Sequence, residues 1–230
     1  MAFIFAEGGS LVKKNGLPTF SRFTLGLIIV SLIVGGMAYG HLPERVPSHW
    51  NIHGEIDGYS GRFFGAFGIP LMTLGLYFLM VFLPRIDPKR ANYGKFIGAY
   101  NTFIVLFVLF MLSLYALILL AAFGYEVDIG IATRIGLGLL FIVTGNYMTK
   151  VHHNYFFGIK TPWTLASEKV WVKTHRLGGL LFVAAGVLTA ASVFLGPEIG
   201  FILTIGSLIG ASVISAVYSY FVFRAEENSG

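Results

Sequence analysis

The 230-residue chain contains no cysteine, which excludes disulfides, thiolate metal sites and a cysteine nucleophile. Charge is also scarce, at 12% of residues against roughly 25% in an ordinary soluble domain. There is no Gly-x-Ser-x-Gly, no His-Glu-x-x-His and no phosphate-binding Gly-rich loop, so the chain is expected to be non-enzymatic and to carry no cofactor. The long apolar runs hold no Asp, Glu or Lys. Coupled transporters need carboxylates or broken helices at mid-depth, so that function is disfavoured.

What is abundant is apolar surface: 56% of residues are hydrophobic and the mean hydropathy is +0.77. Crossing about 30 Å of hydrocarbon takes around 20 residues of helix. Six runs approach or exceed that length: Phe23–Gly40, Ala66–Leu83, Phe96–Phe123, Ile131–Met148, Leu177–Leu195 and Ile199–Phe223. Backbone polar groups find no water in lipid, and unbroken runs lack a barrel's two-residue alternation. The expected fold is all-α, a polytopic integral membrane protein of the cell membrane with six transmembrane helices. The first run, flanked by Lys13, Lys14 and Arg22, reads as a signal anchor rather than a cleaved signal peptide. The expected organisation is a tail over 1–21, an N-terminal membrane module over 22–95 with an outer loop at 41–65, a second module over 96–224 with an inner loop at 149–176, and a tail over 225–230. The Phe3-Ile4-Phe5 cluster in the first tail has no assigned role.

The formal charge of +5 would suit a nucleic-acid binder, but its distribution explains it differently. With the N-terminus inside, thirteen of the sixteen cations face the cytoplasm and only Arg45, Arg62 and Arg134 lie outside. The positive-inside rule then puts both termini in the cytoplasm, with membrane lipid as the partner and no direct contact with nucleic acid. Arg134, near the outer end of the fourth span, is expected to snorkel toward Glu126 or Asp128. Small residues at helical spacing, Gly36/Gly40, Gly186/Ala190 and Gly206/Gly210, predict close helix packing; a homo-oligomer face is the alternative.

Three hydrophilic segments stand out. The outer loop carries Pro47, His49, Trp50, Asn51, His53, Gly54, Asp57 and Gly58, turn chemistry that predicts an ordered non-helical structure and a ligand-binding surface. His49 and His53 are weak metal candidates, since imidazole plus carboxylate suits zinc; no tightly bound metal is expected from two loop histidines. Trp50 reads as an interfacial anchor. The inner loop Pro84-Arg85-Ile86-Asp87-Pro88-Lys89-Arg90 stops one helix before the next, and its cations suit the anionic leaflet. The longest inner loop runs from Asn154 to Arg176. Thr161 before Pro162, or Thr164, predicts a capped short helix reaching Arg176 and lying along the membrane surface. His152, His153 and His175 read as solvated or as balancing helix C-terminal charge.

The same segments carry a resemblance. Leu42-Pro43-Glu44-Arg45-Val46-Pro47-Ser48-His49-Trp50-Asn51, with Gly54 and Asp57-Gly58, looks like the signature of an uncharacterised domain that often precedes an SdpI domain. Pro84 to Pro88 with Asn92-Tyr93 is similar to the segment that follows. Asn154 to Leu165, then Glu168, Trp171, Lys173-Thr174-His175-Arg176 and Gly178-Gly179, resembles the SdpI-domain signature, with Lys160 where that family often has Arg. The resemblance makes Asn154, Phe157, Gly158, Lys160, Thr161, Pro162, Trp163, Thr164, Glu168, Trp171, Lys173, His175 and Arg176 the inner functional candidates. It implies an immunity protein that resists a secreted peptide toxin and can hold a cytoplasmic transcriptional repressor at the membrane. A small-solute transporter or channel and a metal-dependent envelope enzyme are the alternatives.

Overall fold

The computed structural model describes residues 16–228 of the chain; Phe3 to Phe5, Lys13 and Lys14 lie outside them. Its helices are α1 (Arg22–Tyr39), α2 (Ile69–Ile86), α3 (Ile97–Ala122), α4 (Ile129–Met148), α5 (Pro162–Ala166), α6 (Glu168–Ala191) and α7 (Pro197–Glu227). All but the short α5 are long and apolar enough to cross a membrane, as the sequence predicts, with a π-helical turn (Phe64–Gly68) opening the second crossing. The outer loop is ordered, as expected, and forms a two-stranded antiparallel hairpin, β1 (Val46–Trp50) and β2 (Ile56–Ser60). The bundle therefore has a hairpin end and, at the opposite ends of the same helices, a motif end carrying the Asn154–Arg176 segment.

Chemistry at the helix ends explains where they stop. Ser21 caps α1, its oxygen accepting from Thr24 N–H. Pro84 sits in the last turn of α2, and Asp87 before Pro88 takes an extended backbone, which ends the helix. Asp128 caps α4 by accepting from Ile131 N–H.

Glycine sets the tightest packing. Gly138 and Gly145 on α4 face Gly186 and Gly179 on α6, and a Cβ at Gly138 would stand 2.7 Å from the Gly186 carbonyl oxygen, one at Gly145 2.6 Å from that of Gly179. The pairs recur every seven residues, the repeat of a left-handed helix crossing. Of the small-residue pairs marked in the sequence, only Gly186/Ala190 packs in this way. Gly36, Gly40, Gly206 and Gly210 have open space where a Cβ would go, because they lie on outward faces of α1 and α7.

Two expectations are corrected. The helix from Thr164 to Arg176 is not a separate surface element: α5 ends at Ala166, Ser167 turns extended and caps α6, and α6 runs unbroken into the membrane crossing. Val170 and Trp171 on its first turns pack inward instead of facing lipid. Glu168, Lys169 and Lys173 thus sit on a crossing helix, at its end. Arg134 does not reach Glu126 or Asp128. Its Nε donates to Gly130 O and its Nη1 to Ser192 O at 2.9 Å, because the end of α6 presents a free carbonyl beside Gly200, which has no side chain to block the way. α7 continues to Glu227, into the segment read as a tail.

Candidate functional site

At the hairpin end, Asn51 organises the turn. Its Oδ1 accepts from the N–H groups of His53 and Glu55, its Nδ2 donates to the Glu55 carboxylate, and Gly54 takes φ +82°. Gly58 lies opposite His49, and a Cβ there would meet the His49 Cβ at 2.7 Å. That clearance lets the His49 ring turn to Asp57, with Nδ1 and Oδ1 2.5 Å apart. His53 faces Glu198 on α7 at 3.5 Å, so the two histidines point to different carboxylates. Pro47 is buried beside Val46, which roots the hairpin on Ala66, Tyr115 and Leu119. Trp50 is half-buried and lines a cavity of about 330 Å³ with His49, Asn51, Arg134 and Phe201, under the hairpin rather than at its edge.

At the motif end, the Asn154 side chain is fully buried and holds its loop like a knot. Its Nδ2 donates to His152 O and Phe157 O; its Oδ1 accepts from Phe156 N–H, Phe157 N–H and the Tyr93 hydroxyl. Asp87, 2% exposed, accepts from Lys89 N–H, Tyr155 N–H and Tyr93 Oη. The loop after α2 and the loop after α4 are thereby joined through buried polar groups. Burial, and then the neighbouring Asp87 charge, push the Tyr93 hydroxyl well above the ordinary phenol range.

Three rings stack behind this knot. Trp171 lies between His175, at 4.0 Å between centroids, and His153, at 5.0 Å, and its Nε1–H donates to Val151 O. His175 Nε2 accepts from Ile159 N–H, which leaves the proton on Nδ1 to be donated to Trp171 O. A solvated or charge-balancing role for His175 and His153 is therefore corrected: they are 1% and 3% exposed. Lys89 Nζ stands 3.0 Å from His153 Nδ1, and burial, followed by the Lys89 charge, holds this imidazole below the usual histidine range. Gly158 takes φ +112°, and a Cβ there would lie 2.5 Å from His175 Nε2.

Thr161 and Thr164 form a reciprocal capping box on α5, with Pro162 at its first turn. Thr164 is buried and donates to Ile159 O, and Thr161 also meets Ser219 on α7 at 2.8 Å. Trp163 packs edge-on against Tyr220, and Phe157 against Tyr100. Lys160, Glu168, Lys173 and Arg176 are exposed; Lys160 Nζ donates to Phe156 O. The candidates thus divide into a buried frame (Asn154, Thr164, Trp171, His175) with half-buried Phe157, Gly158, Thr161 and Trp163 around it, and an exposed rim. Sequence reading missed the part that Asp87, Lys89, Tyr93 and Tyr155 play in holding this end together. Asp87-Pro88 and Tyr93 were visible signals, but nothing local told which loop they would meet.

Comparison with known proteins matches two stretches of the chain. Residues 26–74 match the family model of a domain of unknown function, DUF1648, and residues 150–219 match that of the SdpI/YfhL protein family. The chain is 28% identical over 198 residues to the Immunity protein SdpI of Bacillus subtilis (strain 168), an overlap of 86% of this chain and 93% of that protein. No solved structure matches. The hairpin lies within the first matched stretch and the ring stack within the second, both on six membrane-crossing helices; the chain is a multi-pass membrane protein that is similar to the SdpI/YfhL family over residues 150–219 and to that domain of unknown function over residues 26–74.

Proposed function

We propose that the chain is an integral membrane immunity protein that gives resistance to a secreted antimicrobial peptide toxin, acts without catalysis, and holds a cytoplasmic repressor at the membrane when the toxin is engaged. The observation that carries the reading is the near end-to-end similarity to a protein named for immunity. In this reading the hairpin end faces outward, in keeping with the thirteen-to-three cation split, and is the first surface a peptide meets. The Trp50 cavity under the hairpin supplies an apolar pocket with a few polar groups, the kind of surface that anchors a bound side chain. The exposed Lys160 and Glu168 are the surface for the repressor, because most of the uncharged motif residues are committed to the frame.

The test is expression in a bacterium killed by a membrane-active secreted peptide, with membrane potential as readout. A Cys at Ser48 is expected to react with an impermeant maleimide in intact cells. The wild-type chain is expected to keep the potential, and Trp50→Ala to lose protection at equal expression. Lys160→Gln with Glu168→Gln is expected to protect normally while failing to recruit the repressor. No protection by the wild-type chain against the peptide of its own cell, or protection that survives Trp50→Ala, overturns the reading.

A further inference from the structure

At the motif end, α6 and α7 leave between them an open groove of about 520 Å³, lined by Lys173, Arg176, Leu177, Leu180, Tyr218 and Phe221 among others. Its two ends differ in chemistry. Lys173 and Arg176 are exposed and have no ion-pair partner among the described residues. Of the carboxylates at this end, Glu226 meets Ser167 and Lys169, Glu227 meets Arg224, and the exposed Glu168 forms no ion pair with Lys173 or Arg176. About 10 Å further along α6, two turns deeper toward the membrane middle, the lining is Leu180; on the antiparallel α7, Phe221 and Tyr218 stand level with Lys173 and Arg176, in the register set by the Ser167–Glu226 and Gly178–Ser215 contacts. Leu180 and Phe221 are exposed on helices that cross the membrane.

We propose that this groove is a binding site for an anionic phospholipid, whose phosphate is held by Lys173 and Arg176 and whose acyl chain runs from beside Phe221 down along Leu177 and Leu180. Two unpaired cations exceed the charge of one phosphate, so a zwitterionic lipid, which brings its own ammonium, fits less well than a lipid of net negative charge. The Arg fork suits two phosphate oxygens, while Lys acts as a point charge. The Tyr218 hydroxyl has no hydrogen-bond partner among the described residues and lines the groove level with Arg176, where it can donate to a phosphate or ester oxygen. A soluble protein or free phosphate could use the cations but not the apolar floor. The site stands independently of the immunity reading.

The test compares lipid retention by the purified full chain in detergent, by native mass spectrometry, with phosphatidylglycerol and phosphatidylcholine of equal chain length as probes. The wild-type protein is expected to retain phosphatidylglycerol selectively, one molecule per chain. Lys173→Gln with Arg176→Gln is expected to lower that retention roughly tenfold or more, since each basic residue contributes several-fold at an anionic surface. Arg90→Gln with Lys95→Gln removes the same charge from exposed positions of another loop at this end and is expected to leave retention unchanged. Equal losses in both double variants would reduce the effect to diffuse charge and overturn the site. Full displacement by inorganic phosphate would show an anion site without the lipid and overturn it equally. Should the double variant fail to fold, the single variants take its place, each expected to lose several-fold.

Discussion

Replacing Gly158 by Ala tests the ring stack at its tightest point. A φ of +112° is one that L residues rarely adopt, and such strain costs of order 1–3 kcal/mol. The new Cβ would also stand 2.5 Å from His175 Nε2 and 3.3 Å from Trp171 Cζ2. His175 cannot yield freely, because Trp171 stacks on one face and Nδ1–H is bonded to Trp171 O. Moving it breaks the Ile159 N–H···Nε2 bond, worth about 1 kcal/mol. The expected loss is about 3 kcal/mol, which in a chain of this length lowers the apparent Tm by roughly 6–12 °C in detergent. In a His175→Ala background the clash is gone and only the backbone strain remains, so the cost of Gly158→Ala should shrink to about half. A Gly158→Ala protein that melts with the wild type, or whose loss is undiminished without His175, refutes the argument.

Two further predictions concern the buried polar knot. Asn154→Asp sets a carboxylate oxygen against the His152 and Phe157 carbonyls that now accept from Nδ2, so it should destabilise by at least about 3 kcal/mol and more than Asn154→Ala; equal melting points for the two variants would contradict the hydrogen bonding described. His153 is held neutral in the fold, so on acidification the unfolded chain takes up its proton first and stability falls as the pH drops below about 6.5. Lys89→Met lifts the charge that opposes protonation and should flatten that fall, read as apparent Tm between pH 8 and pH 5; an unchanged slope would mean that the pair is not coupled.

The six crossings were legible because lipid leaves the backbone one solution, and long apolar runs announce it without tertiary information. The hairpin was legible only as an ordered loop. Pro47, Gly54 and Gly58 read as turn residues, and what makes strands of their neighbours is non-local: Val46 seated against Gly65 and the pairing of His49 with Gly58 across the ladder. The motif was found, but the resemblance put its polar, aromatic and charged residues side by side and did not separate the buried ones from the exposed ones. The charged ones proved to be the rim. Asn154, His153 and His175 took their places through contacts with Tyr93, Lys89 and Ile159 that no spacing encodes. Arg134 was misdirected because the Ser192 carbonyl lies 58 residues away in sequence while Glu126 and Asp128 lie close.

The two matched domains leave 75–149 between them, yet that stretch carries much of what joins the two ends. Asp87 and Tyr93 bind the Asn154 loop, and α3 contributes Tyr115 and Leu119 to the cluster beneath the hairpin and Tyr100, Ile104 and Val108 to the cluster beside Trp171. Any event at the hairpin that reaches the motif end must shift an element shared by both, and such a shift needs an interface with slack. The α4–α6 seam has none, since its glycines bring backbone against backbone. The α3–α4 seam is different: cavities of about 320 and 500 Å³ lie along it, lined by Phe103, Phe107 and Phe141 in one and by Leu109, Phe110 and Leu139 in the other. Side chains along these open clefts pack less closely across the seam than the glycines of α4 and α6 do, so α3 can shift against the α4–α6 pair with fewer direct contacts to break.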